Sequence, residues 1–197
     1  MTCIIGYIDK KNNKTYMGCD SCASTGNDKI IRKDKKVFKS DYNPNFLIGF
    51  TSSYRMGQLL MYADVKVFPS ESDLNKNNLE VNHKFMVTQI IPKIQQLFEE
   101  GGFGDRDEGG EFLIAYKNQL YKIYSDFQVE ENTLDYNSCG CGEYYAEGSL
   151  FSLQDSNKNI IDKIHTGLQS ATYFSGGVDK PFYIMNTEND ETLEFKE

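Results

Sequence analysis

The chain is 197 residues long with a formal net charge of -8, and 39% of it is apolar, including thirteen Tyr and thirteen Phe. That length suits one domain, 1–197, with a sizeable core, and the aromatic content is that of a globular chain rather than a disordered one. The negative balance disfavours a nucleic-acid partner, and no apolar run reaches the roughly 18 residues of a membrane span.

The chain opens Met1-Thr2-Cys3-Ile4-Ile5-Gly6, placing a hydroxyl and a thiol at the start of an apolar strand. Once Met1 is removed, Thr2 carries a free amine beside its own hydroxyl. An unperturbed α-amino group has a pKa of about 7.7–8.0, so it can act as a base near neutral pH. Thr paired with its own amine is a known nucleophile-base arrangement. Cys3 is the rival nucleophile, and its use would need a further cut.

Cys3 to Asp9 and Thr15 to Asp20 are short apolar runs around a Lys-Lys-Asn-Asn-Lys turn and predict a hairpin. The small-residue stretch Ser21 to Asn27 leads into a basic segment with Lys29, Arg32, Lys33, Lys35, Lys36 and Lys39. Val37-Phe38 follows, and after the Asn43-Pro44-Asn45 turn, Phe46 to Phe50 reads as a buried strand. Thr51-Ser52-Ser53 supplies an N-cap for a helix with Met56, Leu59, Leu60 and Ala63 on one face. Asp64 to Asn82 reads as a connection. A longer helix spans about Val81 to Glu100, with Pro92 predicted to kink or break it and Gly101-Gly102 to end it.

Gly101 to Gly110 is an acidic glycine loop. Asp105, Asp107 and Glu108 would repel phosphate and no Lys-Ser/Thr pair follows, which argues against a phosphate cradle. Phe112 to Tyr116 and Leu120 to Tyr124 predict a second hairpin, with Phe127 to Val129 and Tyr136 continuing the sheet. Ser138 to Gly142 is a small-residue corner before helices over Glu143 to Leu153 and about Asn157 to Phe174, the second stopped by Ser175-Gly176-Gly177. Phe182 to Met185 and Thr192 to Phe195 are closing strands. The order predicts a layered α+β domain without a βαβ rhythm, and periodicity alone leaves one sheet or two open.

The cysteines are Cys3, Cys19, Cys22, Cys139 and Cys141. An odd number with no signal peptide ahead predicts free thiols in a reducing cytoplasm. The Cys19/Cys22 CxxC and Cys139/Cys141 CxC raise a zinc reading, but structural zinc prefers two CxxC-like pairs and Cys19 falls inside a strand, so no metal and no cofactor are expected. His83 at a helix start and His165 beside the inward Ile164 are expected as capping or surface residues rather than partners of a catalytic Cys.

The whole order, and several local strings, resemble proteasome β subunits and the HslV-like peptidases of the N-terminal nucleophile (Ntn) hydrolase superfamily. Thr2-Cys3-Ile4-Ile5 is similar to their Thr-Thr-Ile opening, Asp20-Ser21-Cys22-Ala23-Ser24 to their Asp-Ser-x-Ala-Thr, and Lys35-Lys36-Val37 to their Lys-Lys-Val. Thr51-Ser52-Ser53 replaces an Ala-Gly-Gly loop, Gly140-Cys141-Gly142 a Gly-Ser-Gly corner, and Thr172 to Gly177 an Asp-x-x-Ser-Gly-Gly string. Each string is unspecific, whereas their order and the 16-residue step from Asp20 to Lys36 are more telling.

The resemblance implies an αββα sandwich of two antiparallel sheets flanked by helices, and a threonine-type peptidase with a peptide or protein substrate. Thr2 would be the nucleophile, Lys36 its electrostatic support and Asp20 the residue that keeps the lysine charged and oriented. The Ser52 N–H would be the oxyanion donor, Cys141 and Ser175 would surround the amine, and Ser24, Thr51 and Ser53 would bind substrate. Cys141 replaces a family serine with a weaker hydrogen-bonding group, and Thr172 replaces an aspartate. A Lys36→Ala variant is expected to lose turnover with its melting temperature nearly unchanged. Ring-shaped homo-oligomers, sometimes with an ATP-driven unfoldase, are the assembly implied. A catalytically silent subunit of the same fold, with a binding or assembly role, is the second reading.

Overall fold

The computed structural model describes residues 1–25, 28–62, 67–104 and 108–196. Ala63 of the first predicted helix, Asn27, the start of the connection at Asp64, and Asp105 and Asp107 of the glycine loop lie outside the described residues. In chain order, β1 (Ile4–Asp9) and β2 (Lys14–Cys19) form the first hairpin, β3 (Cys22–Thr25) and β4 (Asp28–Ile31) a second, and β5 (Val37–Lys39) and β6 (Phe46–Phe50) follow. Helices α1 (Tyr54–Tyr62), α2 (Glu71–Lys76), α3 (His83–Phe85) and α4 (Ile91–Glu100) come next. Then come β7 (Phe112–Tyr116), β8 (Gln119–Ile123), β9 (Val129–Glu130), β10 (Tyr136–Cys139), α5 (Glu143–Leu153), α6 (Ile160–Phe174), β11 (Phe182–Asn186) and β12 (Leu193–Phe195).

Two antiparallel five-stranded sheets result, ordered β10-β1-β2-β11-β12 and β5-β6-β7-β8-β9. The period-2 alternation of β1 sets the layering. Ile4 points between the sheets with Met17, Leu47, Leu113 and Leu120. Cys3 and Ile5 point the other way, against Ala146 and Leu150 of α5 and Ile164 and Leu168 of α6. The second sheet turns Ile48, Phe50, Phe112 and Ile114 toward Met56 of α1 and Ile94, Leu97 and Phe98 of α4. The order of layers is therefore αββα. Phe46–Phe50 and Phe112–Tyr116 are buried along their whole length, which explains why they read as continuous apolar runs rather than alternating ones.

Glycine sets the approach of the sheets at one point. A Cβ on Gly49 of β6 would lie 2.5 Å from Met17 Sδ and 2.6 Å from Ile4 Cγ2.

Three expectations are corrected. The small-residue and basic stretch contains the β3–β4 hairpin, in which β4 is exposed throughout, Ile30 and Ile31 included, so no buried face marks that strand. The connection contains α2, fixed by a capping box in which Ser70 Oγ accepts from Asp73 N at 3.2 Å and Asp73 returns to Ser70 N at 3.3 Å. Tyr136 does not continue the second sheet: β10 crosses to the first and pairs with β1. Pro92 does mark an interruption of the α-helix, as expected: a π-helical turn over Met86–Ile90 joins α3 to α4 just before it. The wider turn accommodates a ring that would clash with a regular α-helical carbonyl. Among the described residues, no helix is long and apolar enough to cross a membrane.

Candidate functional site

The segment entering β1 is clamped on both sides. Thr2 is buried, and its carbonyl accepts from Gly142 N at 3.2 Å. The corner beside it needs glycine, since Gly140 has φ +99° and a Cβ there would lie 2.3 Å from Thr2 O. On the other side, Cys3 N donates to Asp20 Oδ1 at 3.0 Å, and Asp20 N donates to Cys3 O at 3.3 Å.

Asp20 ends β2 and is saturated. Its Oδ1 also accepts from Lys36 Nζ at 2.8 Å, while Oδ2 accepts from Cys22 N at 2.9 Å and Asp179 N at 3.3 Å. Lys36 donates a second bond, of 2.5 Å, to Cys22 O. Both side chains are fully buried. A buried ion pair is tolerable only when the remaining lone pairs and protons find partners, and here the carboxylate makes four contacts. The Lys36 carbonyl accepts from Phe50 N at 3.0 Å, which ties the lysine to the end of β6 and so to Thr51.

Around the Thr2 nitrogen, Cys141 Sγ accepts from Thr2 N at 3.4 Å and lies 3.3 Å from Ser175 Oγ. Cys141 is the exposed thiol; the other four are buried. The Thr2 hydroxyl donates to the Met1 carbonyl. Met1 packs on Gly177, where a Cβ would lie 2.4 Å from Met1 Cβ.

The third wall is the loop after β6. Thr51 N donates to Glu111 O at 3.1 Å, and Ser52 Oγ accepts from Glu111 N at 3.0 Å. Those bonds hold Ser52 at φ 62°, a left-handed conformation uncommon for a residue with a Cβ. Thr2, Ser24, Thr51, Ser52, Ser53 and Tyr54 line a pocket of about 80 Å³.

One oxygen of Asp20 thus joins Lys36 to the N–H of Cys3, the residue after Thr2, while Cys141 and Ser175 gather at the Thr2 nitrogen, and Ser24, Thr51, Ser52 and Ser53 line one pocket with Thr2. Cys3 lies elsewhere. Its side chain packs against the helices, and burial, then the Asp20 charge, push its thiol well above the ordinary value. Burial likewise pushes Cys19 up to about 11 and raises Cys139. Thr172 touches none of these groups, its hydroxyl being buried without a hydrogen-bond partner among the described residues. His83 Nε2 lies 3.0 Å from Val129 O, and His165 stacks on Phe195 at 4.5 Å rather than lying on the surface. No group of three or more His, Cys, Asp or Glu among the described residues is arranged to hold a metal.

Two contributors escaped sequence reasoning: Tyr54 in the pocket wall and Asp179 at the carboxylate.

No family model and no curated protein match the chain. Its fold does have counterparts, and it is the HslV-like form of the Ntn-hydrolase fold. BPH of Thiobacillus denitrificans, solved in complex with epoxomicin, is 14% identical over 98% of this chain and 100% of that chain, with a TM-score of 0.70. HslV of Trypanosoma brucei is 13% identical over 94% of this chain and 98% of that chain, with a TM-score of 0.65. A Gly-1 mutant of Anbu from Hyphomicrobium sp. strain MC1 is 13% identical over 100% of this chain and 87% of that chain, with a TM-score of 0.67.

Proposed function

We propose that the chain is a proteasome-like, threonine-type Ntn hydrolase that cleaves peptide bonds through an acyl-enzyme after Met1 is removed. The observation that carries this reading is the shared oxygen of Asp20, which binds the Lys36 ammonium and the N–H of the residue following Thr2.

With Met1 attached, the Thr2 nitrogen is an amide and accepts no proton. Its release exposes an amine next to Thr2 Oγ1, with Cys141 Sγ and Ser175 Oγ to orient it. Thr2 Oγ1 then attacks the peptide carbonyl carbon while the amine takes the hydroxyl proton. The Lys36 charge favours the alkoxide, and the Ser52 N–H donates to the tetrahedral oxyanion. Collapse breaks the C–N bond, the ammonium returns its proton to the leaving amine, and an ester on Thr2 remains. Water attacks that ester with the same amine as base, releasing the acid and restoring Thr2.

The reading extends to a ring-shaped homo-oligomer in the cytoplasm, served by an ATP-driven unfoldase, by analogy with the fold. One observation favours the second reading, a silent subunit: Met1 holds the Thr2 hydroxyl through its carbonyl and packs on Gly177. Comparing Thr2→Ala with the parent protein, both lacking Met1, on a peptide amide distinguishes the two. The enzyme reading predicts turnover only in the parent, and equal turnover in both contradicts it.

A further inference from the structure

The pocket beside Thr2 holds two hydroxyls that no described residue satisfies. Ser24 Oγ and Tyr54 Oη are out of solvent, and neither has a hydrogen-bond partner among the described residues. Both residues line the same pocket of about 80 Å³. Buried polar side chains are as a rule paired, so two orphans at one pocket call for a partner that arrives from outside.

Their surroundings are ordered and electrically balanced. The Tyr54 ring meets Phe50 edge-on with centroids 5.5 Å apart, and the Arg32 guanidinium lies 3.8 Å from its centre. Arg32 is engaged by Asp34 through two bonds of 2.8 and 2.6 Å, and Lys36 is engaged by Asp20. The pocket's side chains therefore offer hydroxyls and no unbalanced charge.

We propose that this pocket selects an uncharged carboxamide, the side chain of Asn or Gln, in the substrate residue at the cleaved bond. The inference rests on the peptidase reading above. A carboxamide carries a carbonyl acceptor and an NH₂ donor. The Tyr54 O–H donates to the carbonyl, and the NH₂ donates to Ser24 Oγ. Burial, then the charge of Asp34, raises the Tyr54 pKa, which keeps the phenol a donor. Leu has nearly the shape of Asn but would leave both hydroxyls unpaired, and Asp or Lys would bring in a charge with no counter-ion among the pocket's side chains. Met1 also lines the pocket, so the cleavage that frees the amine clears the subsite as well.

The test uses the Met1-free full chain and four peptide amides that differ only in the residue before the reporter group: Asn, Gln, Leu and Asp. The expected result is a kcat/KM for Asn or Gln at least about tenfold above that for Leu, with the ratio falling toward one in Tyr54→Phe and Ser24→Ala. A preference for Leu, or an Asn preference that persists in both variants, overturns the subsite while leaving the peptidase reading standing. Failure to turn over any of the peptides, with Thr2 also inert to an electrophilic peptide, overturns the peptidase reading and the subsite with it.

Discussion

Lys36 and Asp20 form an ion pair at 2.8 Å with both side chains fully out of solvent. That burial changes what a substitution does. The expectation that Lys36→Ala would leave the melting temperature nearly unchanged treats the lysine as a charge whose loss the fold can ignore. Its removal instead leaves a buried carboxylate without its counter-ion, a change that costs about 3–5 kcal/mol. For a domain of this size the melting temperature falls on the order of 10 °C. Thermal unfolding of Lys36→Ala, and of the charge-free pair Asp20→Asn/Lys36→Met, checks this. The single variant is the less stable of the two, and neither turns over peptide.

Gly140 and Gly148 predict opposite outcomes for the same change. Gly140→Ala forces a side chain into φ +99° and against Thr2 O, so it destabilises by roughly 1–3 kcal/mol and displaces the residue proposed as nucleophile. Gly148 sits inside α5, and a methyl group there would meet nothing within 4 Å, so Gly148→Ala stabilises by about 0.5–1 kcal/mol. Denaturant titrations of the two variants give the signs.

Thiol chemistry separates Cys141 from the rest. It is the exposed cysteine, whereas Cys3, Cys19, Cys22 and Cys139 are buried and burial raises each of them above the ordinary thiol value. Iodoacetamide should add one group to the folded protein, at Cys141, and five after unfolding. Because Cys141 Sγ touches Thr2 N, the singly alkylated, Met1-free protein should also lose turnover. Peptide mapping locates the modification.

Glu71 supplies a pH dependence. Burial raises its pKa, but hydrogen bonds from Tyr116 and Asn45 and the charge of Lys117 outweigh it, and the net shift is below the ordinary 4.5. A carboxyl with a depressed folded-state pKa contributes stability that is present above its unfolded value and lost as pH falls through the folded one. Glu71→Gln should therefore be less stable than the parent near neutral pH, with the gap closing in acid below 4.5. Denaturant midpoints of the two proteins across that range check it.

Much of this was legible from residue order. Strands that are buried on both faces, such as Phe46–Phe50, announce themselves as apolar runs, and Thr2, Asp20 and Lys36 stood out because their order and spacing resemble those of proteasome-like peptidases. The β3–β4 hairpin and α2 did not, because β4 is exposed along its whole length and α2 rests on a local cap with a single buried residue, Leu74. Asp179 was invisible for another reason: its role exists only through a contact with a segment far away in the chain. Asp179 N reaches Asp20 across 159 positions, and no local pattern encodes that.

The central claim is that a Met1-free Thr2 is a nucleophile in the environment built by Asp20 and Lys36. Intact-mass analysis of the protein from its native source, before and after exposure to an electrophilic peptide, tests it most directly. The account predicts a chain lighter by one methionine that gains a single adduct mapped to Thr2, with no adduct on Thr2→Ala. Full retention of Met1, or an adduct on Thr2→Ala equal to that on the parent, would contradict it.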